Sequence, residues 1–310
     1  MNVLITGVAG FIGSALAQSA ISKGYRVHGL DCFLPDLYGN DVKESRVKFL
    51  RTKPSFTFIE RDLRLDLSSL DISEVDLVIH CAAMAGLSQS WTNFRTYQDC
   101  NLLSTFNLVA HLSQYPRVKL IHASTSSVYG KFAVGDESLS TKPVSPYGVT
   151  KFAAEQVVQN YVDSHGISAN ILRLFSVYGP NQRPDMAYSK FISQLYSGQE
   201  LEIYGDGQQV RSNTYIDDVV EAFWSVQESD KVGETFNVSG FESRKLQEFI
   251  DLASSLLNVV PKVRFLPSRV GDQLTTIGDS RKLNLLTGWR AKVNFTDGVR
   301  SQINAFLENL

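Results

Sequence analysis

Short apolar runs alternate with longer amphipathic segments along the first half of this chain. The runs begin at Val3, at Tyr25 (YRVHGL), Phe56 (FTFIE), Asp76 (DLVIHCAA), Val118 (VKLIHAS) and Ala169 (ANILRL). Each has the length and the near-continuous hydrophobicity of a strand buried on both faces. Between them lie a segment after Gly13, a charged stretch, DVKESRVKFL, that reads as a short surface helix, and a long helix from about Asn93 to Tyr115 with Asn101 on an otherwise apolar face. Strand and helix in turn predict an α/β fold built on a parallel sheet.

The break at the end of the first run carries the first chemical information. Gly7, Gly10 and Gly13 follow it. Gly7 would make the tight turn, Gly10 would let the backbone approach a pyrophosphate, and Gly13 would let the helix pack closely on the strand. The free N–H groups of that helix then face an anion. A glycine triplet alone serves equally well as an ordinary turn. Asp31, eighteen residues past Gly13 at the end of the second run, is near the spacing at which an acid reaches an adenosine ribose. A carboxylate there accepts from both ribose hydroxyls and repels a 2′-phosphate, which favours NAD over NADP. Asp62, after the third run, is placed to accept from an adenine amino group, and Ala82, Ala83, Ala85 and Gly86 leave room for a ligand at the end of the fourth.

Composition narrows the partners. The 310 residues suffice for one large domain or two lobes sharing a core, and 30 basic against 32 acidic residues leave no field for nucleic acid or a membrane surface. Any anion would be met by individual arginines. Cys32, Cys81 and Cys100 form no CxxC pair, and their odd number argues for a reducing, cytoplasmic setting over a disulfide framework. The five histidines show no metal-ligand spacing, so no metal is expected. No stretch approaches the ~18 apolar residues of a membrane helix, and the first run is broken too early for a secretion signal.

Candidate chemistry follows the fifth run. Ser124-Thr125-Ser126-Ser127 ends it, and Ser145-Pro146-Tyr147-Gly148-Val149-Thr150-Lys151 comes about twenty residues later. Pro146 suits a helix start, and Tyr147 and Lys151, four apart, then share one face. A phenol is a poor base at its ordinary pKa of about 10, but a neighbouring ammonium and an oxidised nicotinamide ring favour the phenolate. Tyr147 could then take a proton from a sugar hydroxyl, with Thr125 holding the same oxygen.

The set GVAGFIG, Asp31, Asp62-Leu63-Arg64, HCAAMAG, Asn101, STSSVYG and SPYGVTK resembles the extended short-chain dehydrogenase/reductase family, the sugar-nucleotide epimerases and dehydratases. The resemblance implies a Rossmann-type doubly wound parallel sheet with a smaller α/β substrate-binding lobe. Residues 1–175 plus 212–239 would form the NAD-binding domain, and 176–211 plus 240–310 the nucleotide-sugar lobe, with TFNVSG from Thr235 as a late parallel strand. Gly7, Gly10, Phe11, Ile12, Gly13, Asp31, Asp62, Leu63, Ala82 and Ala83, with Tyr147 and Lys151, would hold NAD. Arg211 and Arg269 match arginines on a uridine diphosphate, Asp272 matches a ribose contact, and Ile203 and Tyr204 would pack on the uracil. Arginine's planar fork suits a phosphate.

Two stretches bear on the substrate. Ser126 and Ser127 stand where 4,6-dehydratases place Asp-Glu and where glucuronate decarboxylases place a Glu. Ser176 stands where glucose and N-acetylglucosamine epimerases usually carry Asn, and Arg183-Pro184-Asp185-Met186-Ala187 resembles the UDP-glucuronate 4-epimerases. Ser176 and Arg183 would then hold a C6 carboxylate. The implied reaction is C4 epimerisation of a UDP-hexose through a transient 4-keto sugar, with Thr125, Tyr147 and Lys151 catalytic and Ser126 and Ser127 assisting. The alternatives are a UDP-glucose or UDP-N-acetylglucosamine 4-epimerase, a decarboxylase or dehydratase, and a non-catalytic nucleotide sensor. Ser88, Met84 and Ser212-Asn213 depart from the family pattern, the first two at positions that face the sugar. The resemblance also implies a homodimer, formed through the helices around 93–115 and 148–165.

Overall fold

Val3, Leu4 and Ile5 are all but inaccessible to solvent because β1 (Asn2–Thr6) runs down the middle of a sheet. The computed structural model describes residues 1–34 and 37–310. After β1 come α1 (Phe11–Ser22), β2 (Arg26–Asp31), α2 (Asn40–Arg51), β3 (Phe56–Glu60) and β4 (Leu77–His80). They are followed by α3 (Phe94–Tyr97), α4 (Ser104–Leu112), β5 (Lys119–Thr125), β6 (Phe132–Gly135), α5 (Pro146–His165) and β7 (Ser168–Leu174). The second half contains β8 (Val177–Tyr178), α6 (Ala187–Tyr196), β9 (Glu200–Tyr204), β10 (Val210–Ser212), β11 (Thr214–Tyr215), α7 (Ile216–Glu228) and β12 (Thr235–Val238). The chain ends with β13 (Ser243–Lys245), α8 (Leu246–Leu257), β14 (Lys262–Leu266), β15 (Thr275–Gly278), α9 (Arg281–Thr287) and α10 (Phe295–Glu308).

The main sheet has seven strands in the order β12-β7-β5-β4-β1-β2-β3, and every pairing is parallel. Chain order reverses between β1 and β4. That switch point opens a crevice at the carboxyl ends of the strands, where ligands bind in such sheets. TFNVSG supplies the late parallel strand, β12 beside β7.

The helix expected from Asn93 to Tyr115 is divided. A π-helical segment, Gln98–Leu103, separates α3 from α4, and the run ends at Leu112. The widened turn carries Asn101, which is wholly buried, accepts from the backbone N–H of Met84 at 2.7 Å, and donates to the Met84 carbonyl and to Thr150 Oγ1 at 3.0 Å each. A polar side chain with all its bonds made inside the core accounts for the irregularity, since π-bulges gather where a side chain must be redirected.

A second sheet, in the order β13-β10-β15-β6, draws on distant parts of the chain. Phe132–Gly135, inside the range expected for the first lobe, pairs instead with Thr275–Gly278. The segment leading from β5 to α5 thus passes through this sheet. α7 returns to the main sheet, where Trp224 Nε1 donates to Ser19 Oγ of α1 at 2.9 Å. The Asp218 carboxylate accepts from Lys292 N and Val293 N at 3.0 and 3.1 Å, which fixes the tail to the same helix.

A buried ion pair joins β7 to α5 under the crevice. Arg173 on β7 meets Glu155 on α5 through Nε and Nη2, at 3.0 and 2.7 Å, with side-chain exposures of 9% and 2%. Arg173 Nη1 also donates to Tyr129 Oη, which donates to Asn237 Oδ1 on β12. Removing one partner of such a pair strands a buried charge and costs about 3–5 kcal/mol, whereas replacing both is close to neutral. Arg173→Met should therefore lose about 3–5 kcal/mol in urea unfolding, and Arg173→Met with Glu155→Leu should recover most of it; equal losses in both variants would show that the pair is not the source.

Candidate active site

The first turn of α1 faces the crevice. Its N-cap, Gly10, offers no side-chain hydrogen bond, so the leading backbone N–H groups remain open to an anion. The two glycines beside it are forced by contact. Gly7 has φ +70° and would place a Cβ 2.7 Å from Ala82 N, and a Cβ on Gly13 would come 2.2 Å from the Gly7 carbonyl oxygen. A cleft of about 1300 Å³ extends from this turn between the two sheets. Gly7, Gly10, Phe11, Ile12 and Gly13 line one end of it, together with Asp31, Asp62, Leu63, Ala82 and Ala83.

Asp31 is held by the backbone: Oδ2 accepts from Ala9 N and Oδ1 from Phe33 N, both at 3.0 Å. Burial pushes its carboxyl above the usual range, and those two N–H groups and Lys43 pull it back. Asp62 forms a close pair with Arg64, 2.6 Å at the shortest contact, which lowers its carboxyl against the opposing effect of burial.

At the other end of the cleft, Ser145 Oγ caps α5 by accepting from Gly148 N at 3.1 Å, and Pro146 takes the first turn. This start sets Tyr147 and Lys151 on the face toward β5. Tyr147 is hydrogen-bonded to Thr125; burial raises its phenol, while the Thr125 bond and the Arg183 charge lower it. Sequence reasoning gave Lys151 the role of lowering the phenol. In the structure its ammonium donates to the Ala123 carbonyl at 2.8 Å and lies 3.4 Å from His122 Nε2, while the side chain also lines the cleft. Burial brings Lys151 down to about 8.

Ser126 and Ser127 line the cleft beside Thr125, whose Oγ1 accepts from Ser127 N. Gln273 stitches this loop to the second sheet, donating to the carbonyls of Ser126 and Gly130 at 3.2 and 2.8 Å. Ser176 and Arg183 also line the cleft. The Nε and Nη2 atoms of Arg183 are taken by Asp185 at 3.0 and 2.8 Å. Farther along, the Arg269 guanidinium lies 3.3 Å from the Tyr204 ring centroid and donates to Ser88 Oγ. Arg211 donates to the Val210, Gln273 and Leu274 carbonyls, with Asp272 close enough to feel its charge. Met84 and Ser88, where the sequence departs from the family pattern, line the same space.

Ile203 is the exception among the expected site residues. It is fully buried in the core and does not reach the cleft, which is lined by Glu202 and Tyr204 on either side of it in β9. Alternate residues of a strand point to opposite faces, so neighbours cannot both face one ligand. Arg46 was missed. Its Nη1 donates to the Ala9 carbonyl and to Tyr38 Oη, and its Nη2 to the Asn181 carbonyl, tying the glycine turn to the loop that leads to Arg183. The buried stripe Lys43, Val47 and Leu50 of α2 was the available signal, because Arg46 falls on its edge at helical spacing.

Residues 3–239 match the model of the NAD dependent epimerase/dehydratase family. The chain belongs to that family. Among epimerase/dehydratase relatives it is similar to the uncharacterized UDP-glucose epimerase YtcB of Bacillus subtilis, with 36% identity over 316 residues, 100% of this chain and 99% of that one. It is similar also to the UDP-glucuronate 4-epimerase of Thermodesulfobacterium geofontis, with 32% identity over 314 residues, 99% and 96% of the two chains. A solved structure of UDP-glucuronic acid 4-epimerase from Bacillus cereus, in complex with UDP-glucuronic acid and NAD, superposes with a TM-score of 0.96 at 35% identity over the whole of both chains. The cofactor of this NAD-dependent enzyme fits the cleft's first end, where two glycines stand in places a Cβ would fill and the Asp31 carboxylate lines the same space. Overpacking at such a contact costs about 1–3 kcal/mol, which corresponds to roughly fivefold to 150-fold weaker binding. Gly13→Ala should weaken NAD binding by that factor in calorimetric titration of nucleotide-stripped protein; unchanged affinity would mean that the turn does not hold the pyrophosphate.

Proposed function

We propose that the enzyme interconverts UDP-glucuronate and UDP-galacturonate by epimerisation at C4. The observation that carries this reading is the placing of Arg183 within electrostatic reach of the Tyr147 phenol, in a cleft where the loop after Thr125 offers two serines and no carboxylate. Dehydration across C5 and C6 needs an acid and a base that two hydroxyls do not supply. The likeness to the Bacillus cereus UDP-glucuronic acid 4-epimerase supports the same substrate.

In this reading Tyr147 takes the proton of the C4 hydroxyl and later returns it, while Thr125 holds that oxygen from the other side. Lys151 supplies the positive charge that makes the phenolate accessible. NAD would provide the hydride acceptor at C4 and give the hydride back, so no net oxidation occurs. Arg211, Arg269 and Asp272 hold the uridine diphosphate, and Tyr204 packs on the uracil. Ser176 and Arg183 hold the C6 carboxylate, which Arg183 would meet at Nη1 because Asp185 has its other edge. A ketone at C4 of a glucuronate lies β to that carboxylate, and carbon dioxide leaves when the C5–C6 bond stands perpendicular to the carbonyl. A clamp that holds the carboxylate in another orientation suppresses the loss.

We further propose two lobes, 1–175 plus 212–239 for NAD and 176–211 plus 240–310 for the sugar nucleotide, the second lobe borrowing Phe132–Gly135. The proposed assembly is a homodimer in the cytoplasm, packed through the helices around 93–112 and 146–165, where Phe94, Phe106 and Val149 are exposed. Phe106→Glu should then halve the mass measured by light scattering; an unchanged mass would place the interface elsewhere.

Proton NMR of the purified protein without added cofactor, supplied in turn with UDP-glucuronate, UDP-glucose and UDP-N-acetylglucosamine, tests the substrate. Interconversion of the glucuronate and galacturonate forms alone is expected, and Tyr147→Phe should slow it by roughly 10²–10⁴-fold. Turnover of the neutral sugars only would sink the carboxylate clamp. A pentose product would show that decarboxylation is not suppressed.

A further inference from the structure

Behind Lys151, on the side away from the cleft, stand two buried histidines. His80 on β4 and His122 on β5 are register partners with ring centroids 5.2 Å apart, and they are 1% and 0% exposed. His80 is fully bonded, Nδ1 to Thr6 Oγ1 at 2.7 Å and Nε2 to Thr105 Oγ1 at 3.1 Å. His122 has Lys151 Nζ at 3.4 Å from Nε2 and, among the described residues, no hydrogen-bond partner for Nδ1.

We propose that His122 is a positioning residue for Lys151, its neutral imidazole accepting from the ammonium through Nε2 and fixing both the direction and the charge of that group. An ammonium only donates, so Nε2 must be the acceptor and the ring proton must sit on Nδ1. That leaves the proton on the atom without a partner. An apolar side chain would fill this place without burying an unpaired N–H, so the lone pair at Nε2 is what a histidine adds here. With one ammonium donor on the Ala123 carbonyl and one on His122, the third is left for the cleft that Lys151 lines.

The other groups around Lys151 do not do this. His80 at the end of β4 and Cys81 just after it face it, Tyr147 and Glu155 lie on its own helix, and Arg173 on β7 stands behind Glu155. Burial keeps His80 neutral, down at about 3, and the Cys81 thiol neutral, up at about 12. Glu155 favours the ammonium but is already engaged by Arg173 and Ser124. His122 itself is held well below its ordinary value by burial and by the Lys151 charge, since protonating it would set two cations side by side in the core. Lys151 is charged below its pKa, so activity that needs the ammonium is lost as pH rises through about 8.

The inference rests on the reading of Lys151 as the partner of Tyr147, and its test separates the two. In His122→Leu the acceptor is gone and the ammonium is less favoured, so the alkaline limb of kcat should move down by about half to one pH unit. His122→Gln, which can place an amide oxygen near the position of Nε2, should move it back toward the wild type. The same comparison is made without turnover by NMR of isotope-labelled lysine side chains, with the Lys151 signal assigned by its loss in Lys151→Met. Its titration midpoint should fall in His122→Leu and return in His122→Gln. A midpoint equal in the wild type and His122→Leu overturns the inference, as does a fall that His122→Gln leaves unchanged. If His122→Leu does not fold, His122→Phe is read in its place. A wild type that turns over no UDP-sugar would sink the functional reading while leaving the NMR midpoints to decide this one.

Discussion

The contact between Gly13 and the Gly7 carbonyl oxygen is the constraint from which the rest of the molecule is laid out. With no Cβ at either position, α1 starts directly over the end of β1, and its unbonded N–H groups come to rest at the point where strand order reverses. The positions of Asp31 and Ala82 follow from that placement. Asp31 is fixed by Ala9 N, in the same turn, and Ala82 N donates to Thr6 Oγ1 at the end of the same strand. A side chain at either glycine would displace the turn and both of these anchors.

The far end of the cleft is built differently, from polar groups satisfied inside the core. Asn101 fastens the loop after β4 to α5, and the Glu155–Arg173 pair fastens α5 to β7 and, through Tyr129, to β12. Buried networks of this kind hold a geometry firmly when every member is paired. Tyr147 and Lys151 sit on the helix that both networks grip, so their shared face is set by bonds that make no contact with a ligand.

The apolar runs were legible because each strand of the main sheet is buried on both faces and long enough to leave a pattern; β1 to β5 and β7 each coincide with a predicted segment, overrunning it by at most one residue. The second sheet left none. Its strands β6, β10, β13 and β15 have three or four residues each, too few for periodicity to register, and they are assembled from four separate parts of the chain. Local geometry limited the site in the same way. Ile203 and Tyr204 are adjacent, and without the register of β9 nothing in the sequence says which of them faces inward. Arg46 lies in a segment dominated by charge, where a solvated helix was the natural reading, and its three backbone and phenol partners come from Ala9, Tyr38 and Asn181. The glycine turn and the Tyr147–Lys151 pair were visible because each is compact in sequence.

The excursion of β6 into the second sheet has a mechanical meaning. The chain leaves β5 just after Thr125, contributes one strand to the sheet that also carries Arg211, and returns to begin α5 just before Tyr147. The two sheets are therefore not joined by simple hinges at a boundary. Any rotation of the second sheet as a body pulls on both ends of this loop at once, and Gln273 adds a third attachment at Ser126 and Gly130. The spacing between Thr125 and Tyr147 is thus a gauge of how far the cleft stands open.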